Sequence, residues 1–400
     1  MSLRLFTAPQ LSPLFDHFAE QLARNPLPPR DDEIIVVQSQ GMRRWLTLQV
    51  ADRFGCAGSL QMPFPATFVR ELGQRLTRER AGRDESDPFS RDVLAWRVDA
   101  LLRALPEGDE AFAPLRSYLR GSDGRGVDER ARFGLAAQIA ARLDDYQMFR
   151  ADILGEWESG RDTPQELPHA RWQAALWRRL CADAGDGALH LAARMRRAIE
   201  ALAGGAPTNL PGRITVFGVS TLPPAFLELL AALARHVEVT VYCASLPADA
   251  PHPIASTFGG QSRQFIEGLV RQGGALTRLS PPPTRGTGLL ASLQRELAEG
   301  GAGDLPIAIG ADDPSLRIHD AHGRLRQVEI IRDQLLAALA ADPSLRPHDL
   351  LLLVPDAAEW APLVDAVFGV KSDDTPRIPY RIADRPIRRT EPAAEALARL

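Results

Sequence analysis

The segment Glu33 to Ser39 reads Glu-Ile-Ile-Val-Val-Gln-Ser, with four β-branched residues in a row between a charged run and Gly41. A run without polar alternation suits a strand buried on both faces, and such strands occur in parallel sheets covered by helices on each side. The next residues fit that requirement. Met42, Trp45, Leu46, Val50 and Phe54 fall at helical spacing, and Gly55 supplies a stop. The unit is strand, tight loop, helix. Before it, Leu3 to Thr7 reads as a short strand, and Leu11, Leu14, Phe15, Phe18 and Leu22 mark an amphipathic helix. Further on, Arg213–Ser220 and Val237–Ser245 read as strands on either side of a helix over Pro224–Ala234. Leu316–Ala321 and Asp349–Asp356 are expected strands around a helix from Arg324 to Ala341. Alternation of this kind predicts an α/β fold with a parallel sheet.

The alternation is interrupted between Pro65 and Gly205, where no segment reads as a strand. Phe68–Leu76, Asp92–Leu105, Phe133–Met148, Ala170–Cys181 and Leu189–Leu202 carry apolar residues three and four apart, separated by polar loops such as Arg83–Pro88 and Asp183–Gly187. Pro247–Gly288 is rich in glycine and proline and reads as an extended loop holding one helix near Gln264–Gln272. No internal repeat is present. The expected organisation is an α/β domain beginning over 1–64, an all-helical insertion over 65–205, a continuation of the α/β domain over 206–345, and the start of a second domain over 346–400. A large helical insertion in a βα scaffold is similar to the plan of the superfamily-one helicases.

Composition narrows the class. The chain has 400 residues, of which 45% are hydrophobic and 24% charged, so it can bury two or three globular cores and is not fibrous or mainly disordered. The N-terminus shows no export signal, and no apolar run approaches the roughly 18 residues of a bilayer span. Cys56, Cys181 and Cys243 lie far apart, which argues against a disulfide framework or a cysteine metal site. A cytoplasmic protein with no membrane partner is the expectation. The net charge of −4 gives no global pull on nucleic acid. Of the 47 basic residues, however, only Lys371 is lysine. Any nucleic-acid groove would therefore rest on local arginine clusters, whose planar forks grip phosphate and stack on bases.

A loop between a buried strand and a helix is where a phosphate-binding loop would lie. That chemistry needs several glycines, a lysine for the β and γ oxygens, and a hydroxyl for magnesium. Gln38-Ser39-Gln40-Gly41-Met42-Arg43-Arg44-Trp45 offers one glycine, no lysine and no hydroxyl after a lysine. Arg213–Ser220 ends in Gly-Val-Ser, without an acidic pair to hold magnesium. Both halves of the ATPase chemistry are missing, and a loop of this kind also fits another α/β protein with a polar turn at that place. There is no HExxH, no GxSxG and no cysteine with an evident histidine base. Asp144 and Asp145 diverge by about 100° on a helix and seldom share one ion. No catalytic residue, metal site or cofactor is expected in this chain.

Several phrases carry a resemblance: EIIVVQSQGMRRWLTLQVADRFGCAG, MPFPATFVRELG, LDDYQMFRADIL, RITVFGVSTLPPAFLELLAAL, LRIHDAHGRLRQVEIIRDQLL, DLLLLVPD and IPYRIADRP. In this order and spacing they resemble the RecC family, the gamma subunits of the exodeoxyribonuclease V (RecBCD) helicase–nuclease, from about Leu3 onward. Family members are longer, so a fragment is expected, ending in a fresh helix from Glu391. The resemblance implies a superfamily-one helicase fold that has lost its ATP site, with a second helicase-like half opening at Asp349–Asp356. It also implies a non-catalytic subunit that guides DNA in double-strand-break repair by homologous recombination. Its partners would be RecB-like and RecD-like subunits in a heterotrimer, double-stranded DNA ends and single-stranded DNA. ATP and magnesium would belong to the partner subunits. The 3′-ended tail would pass through this subunit and be scanned for the recombination signal Chi.

Carried over by position, the tail-contacting set is Gln38, Gln40 and Arg44 on the loop, Phe64 and Arg70, and Asp144 and Arg150. Gln38, Asp144 and Arg150 match the family pattern. Gln40, Arg44, Phe64 and Arg70 stand where it has threonine, glutamine, leucine and tryptophan. A structural role competes at several positions: Phe64 in a core, Arg150 capping a helix end, Asp144 as a surface charge. Two other functions fit the chain-level features. One is an AddB-type helicase-like protein with a nuclease domain beyond residue 400. The other is an assembly scaffold that never touches DNA.

Overall fold

A computed structural model describes residues 2–77, 87–121, 126, 128–162, 169–185, 187–205, 210–247, 252–280, 286–303, 310, 312–370 and 376–383. Most of the expected loop at Arg83–Pro88, and the helix expected from Glu391, lie outside them. The chain divides into two compact units, residues 1–287 with 291–308, and residues 288–290 with 309–400.

The first unit opens with β1 (Leu3–Ala8), α1 (Leu11–Arg24), β2 (Glu33–Val36), α2 (Gln40–Phe54) and β3 (Leu60–Gln61). Among the described residues seven α-helices come before the next strand: α3 (Pro65–Thr77), α4 (Arg91–Arg103), α5 (Ala113–Arg120), α6 (Glu129–Phe149), α7 (Ala151–Glu158), α8 (Ala170–Asp183) and α9 (Leu191–Ala203). Then come β4 (Arg213–Phe217), α10 (Pro224–Leu233), β5 (Glu238–Ala244), α11 (Pro253–Phe258), α12 (Gly260–Arg271) and β6 (Ala275–Arg278). Helix α13 spans Leu289–Glu299.

The six strands of the described residues form one sheet in the order β3-β2-β4-β5-β1-β6, with every pair parallel. Val36 lies opposite Val216, and Val216 opposite Val241, so the β-branched runs stack in register at the centre. Strand alternation sorts the apolar residues onto two faces. Ile34, Val36, Ile214, Val216, Val239 and Val241 meet α3, α9, α10 and α12 on one face. Phe6, Ile35, Val37, Phe217 and Tyr242 meet α1 and α2 on the other. The continuous apolar run is thereby explained, since neither face of β2 is left to solvent.

Helices α4 to α8 gather around a core of their own, centred on the fully buried Trp157 and Trp177 with Phe89, Phe112 and Leu143. Inside this stretch Asp99 is only 3% exposed and accepts hydrogen bonds from Arg103 (2.9 Å) and Arg132 (3.0 Å). Burial pushes its carboxyl up, but these donors more than offset that and hold it below the usual carboxylate range.

The second unit contains α14 (Arg324–Ala341) and α15 (Ala357–Phe368), packed through Val328, Val364, Val367 and Phe368 with Ile378. Here two expectations are corrected. Leu316–Ala321 and Asp349–Asp356 join no strand ladder among the described residues. Ile318, Leu351 and Leu353 are 92%, 78% and 82% exposed. An apolar run becomes a strand only where a neighbouring backbone takes up its N–H and C=O groups. Two smaller corrections concern the first unit. β2 stops at Val36, because by Ser39 the chain is already capping α2. The expected loop Pro247–Gly288 contains α11 and the edge strand β6 in addition to the helix near Gln264–Gln272. Among the described residues, no helix is long and apolar enough to cross a membrane.

Candidate functional site

The sheet order itself singles out one place. From β1 the chain moves leftward through α1 to β2, and from β2 leftward again through α2 to β3. From β4 it moves rightward through α10 to β5, and onward through α11 and α12 to β6. Right-handed crossovers in opposite directions put the two helix sets on opposite faces, as the two cores record. The direction reverses between β2 and β4. In an open parallel sheet the crevice at the carboxyl ends of two such strands is the place where ligands bind. The loops that meet there are Val37–Gly41 and Gly218–Pro223.

They are joined by one side chain. Gln38 Nε2 donates to the Thr221 backbone oxygen at 2.9 Å. Gly218 makes the close approach possible: its φ of 67° is left-handed, and a methyl group there would overlap the Met42 side chain. On the other side of the crevice the Ser39 hydroxyl accepts from the Met42 N–H at 3.1 Å and caps α2. In a phosphate loop that amide would face the ligand. Here the chain's own serine satisfies it.

Arg43, which sequence reasoning missed, organises the rest of the loop. Its Nη2 and Nε donate to the Met62 carbonyl at 2.6 and 3.1 Å, its Nη1 donates to Gln40 Oε1 at 3.3 Å, and its guanidinium lies 4.7 Å from the centre of the Phe64 ring. A helix-borne arginine thus ties the first turn of α2 to the segment before α3. The contact spans about twenty residues of sequence, and no local pattern signals it.

The expected site residues divide into groups. Gln38, Gln40 and Arg44 sit together at the start of α2, all exposed, and Arg44 has no hydrogen-bond or ion-pair partner among the described residues. Phe64 joins them through Arg43, but its ring is half-buried against the sheet core. Arg70 is exposed on α3, whose Phe68, Val69 and Leu72 pack into the opposite face. Arg150 comes directly after α6 and grips Asp152 with two bonds of 3.1 and 3.0 Å. That pairing raises the Arg150 pKa and lowers that of Asp152. Asp144 lines a separate cavity of about 620 Å3 with Arg91, Tyr146 and Trp172. Burial first, and then the carboxylate of Asp145, raise its pKa against the pull of Arg91. Asp145 itself pairs with Arg142 at 3.3 Å.

Fold and crevice together define a doubly wound α/β protein with a crevice at the switch point, whose loop has one glycine, no lysine and no hydroxyl after a lysine. The family model described as RecC, N-terminal domain, matches residues 3–249. The chain belongs to the RecC family. It is 28% identical to the RecBCD enzyme subunit RecC of Escherichia coli over 93% of its own length, and 27% identical to that of Haemophilus influenzae over 90%. Against the RecBCD enzyme subunit RecC of Mycolicibacterium smegmatis it is 28% identical over its whole length. The chain spans 38–39% of the length of these relatives.

Proposed function

We propose that this chain serves as a non-catalytic, DNA-guiding part of a RecC-type subunit in an exodeoxyribonuclease V helicase–nuclease. The complex would contain RecB-like and RecD-like partners, supply ATP and magnesium chemistry from those partners, and act in double-strand-break repair. In this reading the six-stranded sheet is a superfamily-one helicase domain with a degenerate ATP site, and α3 to α9 are its helical insertion. The second unit begins a further helicase-like half.

The observation that supports the reading best is the state of the crevice. The relic position of the phosphate loop is filled by the Ser39 cap and the Gln38–Thr221 tether, while the side chains of Arg44 and Gln40 are exposed beside it. A helix N-terminus bearing glutamine and arginine suits the phosphates and base edges of a passing single strand. Chi scanning by Gln38, Gln40, Arg44, Phe64, Arg70, Asp144 and Arg150 is the finer form of the same proposal.

The test uses the assembled complex and a duplex with a 3′ tail. Tail binding that weakens linearly in log–log terms as salt rises supports the DNA-guiding role, because each phosphate contact releases counterions. Binding insensitive to salt and to tail length would favour the scaffold instead. The chain alone, titrated with a fluorescent ATP analogue and magnesium, is expected to show no saturable micromolar binding.

A further inference from the structure

Beside the crevice lies a cavity of about 510 Å3 that none of the expected site residues lines. It falls within the range of about 300–1,000 Å3 usual for small-ligand sites. Thr221, the residue that holds Gln38, forms part of its wall, so cavity and loop share a residue. Phe149, the last residue of α6, lines it and is 57% exposed. Part of the lining is apolar and closely packed: Leu227 on α10 sits against Gly268 on α12, where a methyl group would overlap it.

The rim is polar and mixed in sign. Gln264, Arg271 and Gln272 come from α12 and the residue after it, and Glu228 from α10. None of the four has a side-chain partner among the described residues. Two amides offer both donors and acceptors, the guanidinium donates and the carboxylate accepts. A phosphate is a poor match for this rim, since Glu228 would repel it. The edge of a nucleobase presents donors and acceptors side by side, and its face stacks on an open aromatic ring.

We propose that this cavity is a subsite for one unstacked base of single-stranded DNA, with Phe149 as the stacking platform and the α12 rim reading the base edge. The proposal rests on the DNA-guiding reading and adds to it a pocket that turns one base out of the strand's path at the switch-point crevice.

The experiment uses the assembled complex with the full-length subunit and a 3′ tail carrying 5-iododeoxyuridine at one position at a time. Illumination is expected to yield a crosslink at Phe149 from a single tail position. Phe149→Leu keeps apolar volume but removes the stack, and should weaken tail affinity about five- to 100-fold, while Phe149→Tyr should stay within about twofold of wild type. Normal tail affinity in Phe149→Leu, alongside a loss in Arg44→Ala, would overturn the subsite and leave the DNA-guiding reading standing. A Phe149→Leu complex that assembles poorly but, once assembled, binds the tail normally would assign the pocket to a partner protein and overturn the proposal. A wild-type complex in which no residue of this chain crosslinks to the tail would remove the functional reading and the subsite together.

Discussion

Two segments of this molecule look alike on paper. Glu33–Trp45 and Asp349–Trp360 each run from an acidic residue through consecutive aliphatic residues to a capping residue and a helix. Both caps form: Ser39 accepts from the Met42 N–H, and Asp356 accepts from the Ala358 and Glu359 N–H groups. Both helices start at once. The aliphatic runs then part company. Ile35 is fully buried on β2, between β3 and β4, whereas Leu351 and Leu353 are exposed with no ladder beside them among the described residues. Capping involves residues two or three apart, so each segment completes it alone. Strand formation depends on backbones brought from far along the chain, and among the described residues the first segment has them and the second does not.

That contrast predicts its largest effect at the centre of the runs. Ile35→Ala should destabilise the first unit by about 2–5 kcal/mol, the usual cost of emptying a packed aliphatic site. Leu353→Ala should shift the second unit by no more than about 0.5 kcal/mol, as exposed substitutions do. Denaturant titration read by hydrogen exchange in peptides of each unit measures both. Equal losses would mean that Leu353 is packed in solution and that the two runs are alike after all.

A smaller effect sharpens the comparison at the loop after β2. Gly218→Ala should cost about 1–3 kcal/mol, because the left-handed backbone there disfavours a side chain. It should also push Met42 away and loosen the turn that Ser39 caps. Faster hydrogen exchange at Gly41 to Arg44, with the strands unchanged, is the expected signature. Among the described residues the second segment has no such glycine against its cap, so no single substitution should act on it in this way.

How much of this could be read in the sequence depends on the same distinction. The buried strands β1, β2, β4 and β5 and helices such as α1, α6, α9 and α14 were legible because their periodicity is local. β6 was not, since all four of its residues are exposed on the sheet edge and carry no apolar pattern. The runs at Leu316 and Asp349 read as strands because apolar content cannot report whether partners exist. At the site, the loop Gln38–Arg44 was legible as the turn between a buried strand and a helix. The tether to Thr221, the bridge from Arg43 to Met62 and the cavity beside Phe149 were not, because each joins residues that only the topology brings together.

The smallest effects are expected on the exposed side chains of that loop, where stability hardly changes and function does. Gln38→Ala removes one exposed hydrogen bond to Thr221, for which a net loss of about 0.5–1.5 kcal/mol is the general range and the lower end applies at a solvated site. Arg44→Ala removes no bond among the described residues and should leave the fold unchanged. In the assembled complex the two should separate. Loss of Arg44 should weaken tail binding for all sequences and reduce the salt slope by about one unit, as expected for a phosphate contact. Loss of Gln38 should leave unwinding largely intact but alter which sequence makes the complex pause, since a bidentate base contact carries about 1–3 kcal/mol of discrimination. The amide has two N–H donors, so one can stay on the Thr221 carbonyl while the other and Oε1 face a base edge. Gln38→Glu, whose carboxylate can neither donate to Thr221 nor offer the amide's paired donor and acceptor, should therefore change the pausing pattern as the alanine variant does. Pausing and tail affinity that match wild type in both alanine variants would reduce this loop to a turn, no different in role from the one at Asp356.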